Sequence, residues 1–257
     1  MPERRKVLLT GAAGRIGTAF RERFHDAYSF RLVDRREIDR PGGHEVVLGD
    51  LADLEFARQV CAGIDTVIHL AADPNAHATF YGSLLAMNVI ATYNVFHAAH
   101  EAGCRRVIFA SSIHAVNAHP LDVQIHPDQP VRPGDVYGAT KVWGEALGSY
   151  FADRLGLSCI ALRIGAVGHP ERLLESDDPR LLAVFISYRD LTHLIERCVE
   201  APDSIRFRIY QGVSDNTYKR MSIENARHEI GYEPQDNAFE ITSKAQLRRI
   251  PPNSPDV

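Results

Sequence analysis

The sequence has few cysteines, little net charge and a single tryptophan. Its four cysteines are widely spaced and lie in apolar segments, at Cys61, Cys104, Cys159 and Cys198. This usage is typical of buried free thiols in a reducing compartment and argues against a disulfide framework. The net charge of −4 at pH 7 gives no basic surface for nucleic acid. We therefore expect no nucleic-acid partner.

Membrane and metal signals are equally scarce. No stretch is apolar over the length that spans a bilayer, and residues 1–6 run into a predicted strand with no signal-peptide core. The 12 histidines are scattered, without metal-ligand spacing beside cysteines. These features predict a cytoplasmic protein with no metal site and no membrane partner.

Strand-like and helix-like segments alternate along the chain. Apolar runs predict strands at 6–10, 29–33, 45–48, 66–70, 106–110, 159–163 and 207–212. Apolar residues at three- and four-residue intervals predict helices at 16–24, 84–102, 138–155 and 189–200. With 45% hydrophobic residues the chain can bury a sizeable core. This alternation predicts an α/β fold with a doubly wound parallel sheet, an irregular loop at 116–135 and a tail from 251 that frays.

A glycine-rich turn follows the first predicted strand, with Gly11, Gly14 and Gly17 spaced as G-x-x-G-x-x-G. Glycine tolerates positive φ in such a turn, and without a side chain it lets backbone N–H groups approach a pyrophosphate. Gly17 lets the helix lie close to the strand. The turn therefore predicts a dinucleotide site of Rossmann type, to which Ala13, Arg15 and Ile16 contribute.

Asp34 ends the second predicted strand, 17 residues beyond Gly17. A carboxylate there is expected to accept hydrogen bonds from the adenosine ribose hydroxyls. It repels a 2′-phosphate, which favours NAD over NADP, although Arg35 and Arg36 weaken that preference. The alternative is a solvated turn residue.

Further cofactor contacts are expected where other strands end, because ligands of open α/β sheets bind outside the carboxyl ends of the strands. Asp50 could take the adenine amino group, and Leu51 could cover the ring. The remaining predicted cofactor contacts from strand ends are Leu70, Ala71, Ala72 and Ile164.

The ordered motifs resemble the extended short-chain dehydrogenase/reductase superfamily over nearly the whole chain. They are the glycine turn, Asp50-Leu51, His69-Leu70-Ala71-Ala72, Asn88-Val89, Ser111-Ser112, Tyr137-x-x-x-Lys141 and Arg163-Ile164-Gly165. Within it the chain is most similar to uronate dehydrogenases and to short-chain-type NAD-dependent glucose-6-phosphate dehydrogenases. The latter resemblance rests on residues 28–35, 186–190, 214–216 and 231–237. It implies one Rossmann-type domain over 1–257, whose small substrate-binding portion lies mainly in 164–257.

Tyr137 and Lys141 are four residues apart, so they face the same side of a helix. An ammonium close to a phenol favours the phenolate and lowers its pKa toward the working pH. Tyr137 is then expected to take the proton from a sugar hydroxyl while Lys141 holds the nicotinamide ribose. The resemblance implies that Ser112 bonds the reacting oxygen and that Asn88 positions Lys141. The alternative is a chance helical pair.

Arg163 is the predicted anion clamp, because a guanidinium beyond a strand can hold a carboxylate or phosphate with two hydrogen bonds. In uronate dehydrogenases, the resemblance implies, the matching arginine grips the sugar carboxylate. The alternative is a structural salt bridge. Asp73, Ile113 and His114 complete the predicted substrate contacts.

Departures from the uronate pattern weaken that substrate assignment. Ile113 replaces an asparagine, Ala166 replaces a serine, and residues 71–74 replace a Gly-Gly-Ile-Ser turn. A substrate hydroxyl left unpaired in a closed pocket costs about 1 to 3 kcal/mol. The cofactor and catalytic assignments do not depend on these positions.

The predicted function is NAD-dependent oxidation of a small sugar, sugar acid or sugar phosphate at C1 to the lactone. One alternative is a nucleotide-sugar epimerase or dehydratase with tightly bound NAD, and another is a non-catalytic NAD-binding regulator. We also expect a homodimer that pairs helices 84–102 and 138–155 through Val142, Trp143, Leu147 and Tyr150. That apolar stripe could equally be core.

Overall fold

The computed structural model describes residues 4–175 and 178–249. The tail that we expect to fray, from residue 251, lies outside them. The strands are β1 (Lys6–Thr10), β2 (Ser29–Asp34), β3 (Glu45–Leu48), β4 (Thr66–His69), β5 (Arg106–Ser112), β6 (Ser158–Ile164), β7 (Ala166–Gly168), β8 (Phe185–Ser187) and β9 (Phe207–Gly212). The α-helices are α1 (Arg15–Arg23), α2 (Leu54–Cys61), α3 (Ala91–Glu101), α4 (Val136–Leu155), α5 (Pro179–Val184), α6 (Tyr188–Val199), α7 (Glu224–Ile230) and α8 (Ala238–Arg249).

Seven strands form one parallel sheet in the order β3-β2-β1-β4-β5-β6-β9. The predicted α/β fold with a doubly wound parallel sheet is confirmed, and each of the seven predicted strands is present. The chain leaves β1 toward one edge and returns beside it at β4. This change of direction opens the crevice in which ligands of such sheets bind.

The core lies in two layers because side chains alternate between the faces of each strand. Val7 and Leu9 of β1 pack in one layer with Phe20 of α1, whereas Leu8 packs in the other with Val95 of α3. Strands covered on both faces bury nearly every residue, as β6 does.

Two features depart from the predicted elements. The predicted helix at 84–102 consists of a π-helical segment, Phe80–Ile90, that runs into α3. A second, two-stranded parallel sheet joins β7 to β8 beyond the carboxyl end of β6. Its strands have three residues each, too few to show an alternating pattern. Among the described helices, none combines the length and the apolar character that crossing a membrane requires.

Candidate active site

The glycine turn after β1 has the close approach that we predicted. Gly11 has a φ of 69°, and a Cβ added there would lie 2.8 Å from the backbone nitrogen of Ala71. A Cβ on Gly17 would lie 2.4 Å from the carbonyl oxygen of Gly11. Within the described residues, no side chain caps the start of α1 at Gly14. Backbone therefore packs closely on backbone in this turn, and the first N–H groups of α1, which no described side chain caps, are available to an anion.

Asp34 is tied to this turn and is not a solvated residue. Its Oδ2 accepts a hydrogen bond of 3.0 Å from the backbone N–H of Ala13, and its Oδ1 accepts one of 3.0 Å from Arg36. The side chain is only 10% exposed. Nearby, the Nε of Arg35 lies 3.8 Å from Asp50 Oδ2. The structure thus brings the predicted adenosine contacts to one end of β2 and β3.

A buried histidine supports the turn from below, a role that the sequence analysis missed. Nδ1 of His69 lies 2.8 Å from Thr10 Oγ1, which also accepts a hydrogen bond of 3.2 Å from the N–H of Ala71. Burial lowers the pKa of His69 to about 3, with a smaller contribution from the charge of Lys141. His69 is therefore neutral, and it fixes the end of β4 where Leu70, Ala71 and Ala72 begin the next loop.

Asn88 connects the loop after β4 to α4. Its Oδ1 accepts a hydrogen bond of 2.8 Å from the Asp73 N–H, and its Nδ2 donates to the Asp73 carbonyl and to Thr140 Oγ1, each at 3.1 Å. Ser83 Oγ lies 2.5 Å from Asp73 Oδ2. Asn88 thus positions the loop after β4 against α4, and its role in positioning Lys141 stays a prediction. A buried asparagine in an apolar helical stretch was the available signal.

Ser112, Tyr137 and Lys141 lie together at the carboxyl ends of the central strands. Ser112 Oγ accepts a hydrogen bond of 3.2 Å from the N–H of His114, and hydrogen bonding with Ser112 acts to lower the pKa of Tyr137. The Lys141 ammonium lies 5.5 Å from the centre of the Tyr137 ring and 5.2 Å from that of Phe109. Tyr137 is 8% exposed and Lys141 4% exposed.

The pKa of Tyr137 is raised in this environment, not lowered as we expected. Burial is the largest cause, the charges of Asp135 and Asp73 add to it, and the Ser112 hydrogen bond opposes it. Burial also lowers the pKa of Lys141 to about 8. The lysine lies over the ring face, so the removal of both groups from water outweighs the attraction between ammonium and phenolate.

His114 packs beside the phenol and is held by Asp135. Its Nδ1 lies 2.5 Å from Asp135 Oδ2, and its ring meets the Tyr137 ring edge-on at 5.4 Å between centres. The first turn of α4 contacts the His114 backbone, since a Cβ on Gly138 would lie 2.2 Å from the His114 carbonyl oxygen. Ile113 precedes it, half-buried, in a 3₁₀ turn at Ile113–Ala115.

Arg163 has the structural salt bridge that was the alternative to an anion clamp. Its Nε and Nη2 each donate to a carboxylate oxygen of Glu145 at 2.9 Å, and Nη1 lies 3.4 Å from the Pro127 carbonyl. Ser111 Oγ donates to the same carboxylate at 2.6 Å. Arg163 is 1% exposed. The two-pronged donor that we expected to hold a substrate anion therefore holds Glu145, which sequence reasoning missed, although it lies one helical turn beyond Lys141.

The C-terminal segments that resemble the glucose-6-phosphate dehydrogenases meet in one polar cluster. Ser187 caps α6 by accepting from the Asp190 N–H at 3.1 Å. Asp190, 1% exposed, accepts from Ser214 Oγ at 2.6 Å and from the N–H groups of Gln235 and Asp236. These residues connect α6 to the segment before α8.

The model of the NAD dependent epimerase/dehydratase family matches residues 7–188. The chain belongs to this family. An NAD-dependent glucose-6-phosphate dehydrogenase of Haloferax volcanii is 37% identical over 93% of this chain and 97% of its own. An L-arabinose 1-dehydrogenase (NAD(P)(+)) of the same organism is 33% identical, over 92% and 98%. A uronate dehydrogenase of Agrobacterium tumefaciens, solved as a tyrosine-to-alanine variant complexed with NAD, has a TM-score of 0.83 at 31% identity and covers 98% of this chain and 92% of its own.

These relatives confirm three predictions made from the sequence: the superfamily, NAD as the cofactor of the family, and the sugar dehydrogenases as kin. They do not assign roles to individual residues. The roles of Tyr137, Lys141 and Ser112 are therefore taken up below as proposals.

Proposed function

We propose that the protein is an NAD-dependent dehydrogenase that oxidises a small sugar, sugar acid or sugar phosphate at C1 to the lactone. The observation that carries this proposal is the grouping of Ser112, Tyr137 and Lys141 at the edge of the sheet that also holds the glycine turn. The relatives add that sugars of three kinds, phosphorylated, acidic and neutral, are named for proteins of similar sequence.

The glycine turn and Asp34 would hold the cofactor. The glycine turn, which has no side chain at Gly11, and the uncapped start of α1 fit a pyrophosphate, and the carboxylate of Asp34 fits ribose hydroxyls. When bound, NAD supplies the hydride acceptor. The buried Asp34 favours NAD over NADP, because a 2′-phosphate would approach its carboxylate.

Tyr137 is the proposed base. The phenolate takes the proton of the C1 hydroxyl, the C1 hydrogen leaves with its electron pair as hydride, and the C–O bond becomes the lactone carbonyl. The hydrogen bond with Ser112 lowers the pKa of the phenol, and when substrate is bound the single O–H of Ser112 can turn to the substrate oxygen instead. The Lys141 ammonium stabilises the phenolate and is available to the nicotinamide ribose.

A substrate panel tests the proposal. We expect NADH absorbance to rise with at least one aldose, uronate or hexose phosphate, and to be lost in Tyr137→Phe, by about 10² to 10⁴-fold. Binding of NAD to that variant, followed by nucleotide fluorescence, should be unchanged. Turnover of nucleotide sugars without net NADH would favour an epimerase, and NAD binding with no turnover of any sugar would favour a regulator.

We further propose that the protein forms a homodimer through the outer faces of α3 and α4. Trp143 and Tyr150 of the predicted stripe are exposed, 40% and 54%, whereas Leu147 is buried. Tyr93 on α3 is 44% exposed. Light scattering should show a dimer that Trp143→Glu dissociates, whereas Tyr218→Glu, at a tyrosine 70% exposed elsewhere, should leave the mass unchanged.

A cytoplasmic location is also proposed. All four cysteines are buried free thiols, as expected of a protein made in a reducing compartment. Fractionation of cells that produce the native protein should recover it with cytoplasmic markers.

A further inference from the structure

The carboxylate of Asp135 joins two parts of the proposed site, one oxygen to each. Oδ1 accepts a hydrogen bond of 2.7 Å from the N–H of Gly138 and so caps α4, the helix that carries Tyr137 and Lys141. Oδ2 lies 2.5 Å from Nδ1 of His114. The helix cap therefore fixes the direction of the carboxylate, and the second oxygen then faces the imidazole.

This geometry sets the tautomer of His114. An ionised carboxylate only accepts hydrogen bonds, so at 2.5 Å the proton must be on Nδ1. Asn117 Nδ2 also approaches Nδ1, at 3.4 Å, but a protonated Nδ1 cannot accept from it. In neutral His114 the other ring nitrogen, Nε2, is then a hydrogen-bond acceptor, and it has no hydrogen-bond partner among the described residues.

His114 lies beside the position at which a substrate hydroxyl would bind next to the Tyr137 phenol. Its ring touches the Tyr137 ring edge-on, and its side chain is 32% exposed while Tyr137 is nearly buried. Its own N–H donates to Ser112 Oγ, so the imidazole, the serine and the phenol are consecutive neighbours. An acceptor at Nε2 suits a sugar hydroxyl that donates beside the reacting carbon.

We propose that Asp135 is a positioning residue, which holds His114 in the Nδ1–H tautomer so that Nε2 accepts a hydrogen bond from the sugar hydroxyl next to C1. The inference rests on the proposed sugar oxidation for its substrate. The tautomer itself is a property of the protein alone, so it is measured independently of activity.

Asp135→Asn keeps the oxygen that caps α4 but changes the tautomer of His114. The Gly138 N–H still needs an oxygen, so the amide NH₂ of the asparagine turns toward His114 Nδ1 and forces the proton onto Nε2. Nε2 then donates and can no longer accept, as occurs when an asparagine replaces a carboxylate that orients a histidine. Asp135→Ser keeps a capping oxygen without an amide that faces the ring.

The first measurement is ¹⁵N NMR of histidine-labelled protein, with His114 assigned from the His114→Gln variant. We expect the Nδ1–H pattern in the wild type and the Nε2–H pattern in Asp135→Asn. The matched control is Asp53→Asn, at the aspartate that caps α2 far from His114. An Nε2–H pattern in the wild type, or no change in Asp135→Asn, would overturn the proposal.

The second measurement uses the aldose that the wild type oxidises and its 2-deoxy analogue. With the aldose, Asp135→Asn should lower kcat/KM by about 10- to 100-fold, the cost of one mismatched buried hydrogen bond. The wild type should lose a similar factor on the 2-deoxy sugar, and the variant should lose little more. Equal losses on the 2-deoxy sugar in both proteins would overturn the hydroxyl contact, whereas a wild type inactive on every sugar would count against the proposed function instead.

Discussion

The two edges of the sheet each hold a buried pair of arginine and serine on β5 and β6, but the arginines have different partners. At the amino edge Arg106 lies opposite Ser158, and at the carboxyl edge Ser111 lies opposite Arg163. Among the described residues, Arg106 donates to four neutral oxygens, those of Ser158, Cys198, Ala201 and Pro202. Arg163 closes on the carboxylate of Glu145.

The two edges therefore differ in role: Arg106 has a structural role at the amino edge, whereas the carboxyl edge holds a cluster of ionisable groups. Arg106 holds the turn between α6 and β9 by its carbonyls, and with no carboxylate partner, burial lowers its pKa to about 10. At the carboxyl edge the buried ionisable groups are concentrated: Glu145, Arg163, Tyr137, Lys141 and His69. Burial lowers the pKa of His69 and of Lys141 and raises that of Tyr137, and several shifted groups side by side indicate a functional site, whereas one buried arginine alone does not.

The largest expected effect comes from breaking the pair of Glu145 and Arg163. Glu145→Leu leaves a buried guanidinium without a counter-ion, and Arg163→Met leaves a buried carboxylate, so each should reduce the free energy of unfolding by about 3 to 5 kcal/mol. The double variant replaces both charges by apolar groups and should recover most of that loss. Urea unfolding of the four proteins measures the cycle.

The same double variant tests the anion clamp. If Arg163 only supports the fold, the variant should oxidise anionic and neutral sugars in the wild-type ratio. Selective loss of uronates or hexose phosphates would restore Arg163 as a substrate residue.

Lys141→Met should stabilise the protein while it abolishes oxidation. The pKa of Lys141 is lowered from 10.5 to about 8 by burial, so the folded state binds its proton less tightly than the unfolded chain. Below pH 8 both states are protonated and the full cost is present, about 3 kcal/mol at 1.36 kcal/mol per pKa unit. Between pH 8 and 10.5 the wild type gains stability and the difference disappears. Thermal unfolding at pH 7, 9 and 10.5 measures this trend.

Lys219→Met is the matched control for that measurement. Lys219 is partly exposed and pairs with Asp215 at 2.7 Å, so its loss should not stabilise the protein at any pH. A Lys141→Met protein no more stable than wild type at pH 7 would show that the cost of burial is offset by contacts with the Phe109 and Tyr137 rings.

Arg106→Met sharpens the comparison of the two edges. It leaves three carbonyls and a serine hydroxyl without their donor, which should cost about 1 to 3 kcal/mol of unfolding free energy. Because the amino edge lies away from the proposed chemistry, kcat/KM should stay within about twofold of the wild type. An activity loss larger than the stability loss would contradict the division between the edges.

Features that depend on the periodicity or spacing of neighbouring residues were predicted from the sequence. Features that depend on contacts between distant residues were missed. Seven strands followed from apolar runs, and the glycine turn from spacing, because both are local. The strands β7 and β8 are too short to show an alternation of apolar and polar residues. The π-helical segment Phe80–Ile90 has the apolar composition of an ordinary α-helix. The residues next to each other in sequence therefore do not indicate the short sheet or the π-helical segment.

The site shows the same division. Position on a helix placed Tyr137 and Lys141 together, but the direction of the Tyr137 pKa depends on burial and on the distant Asp73 as well as on the neighbouring Asp135. Burial and the approach of Asp73 arise only in the folded chain. Likewise Arg163 was predicted to be a free cation at a strand end, because its partner Glu145 is 18 residues away in sequence and reaches it from α4.

Ser112→Ala should have the smallest effect, and it tests how the site compensates for burial. Burial raises the pKa of Tyr137, whereas the hydrogen bond with Ser112 lowers it. Without the serine the pKa rises further, so the phenolate becomes rarer at a given pH. The rise of log(kcat/KM) with pH should therefore move to higher pH by up to about one unit, the worth of one hydrogen bond of about 1 kcal/mol. A profile that falls in height without moving would show that Ser112 contacts only the substrate, since the phenol would then titrate as it does in the wild type.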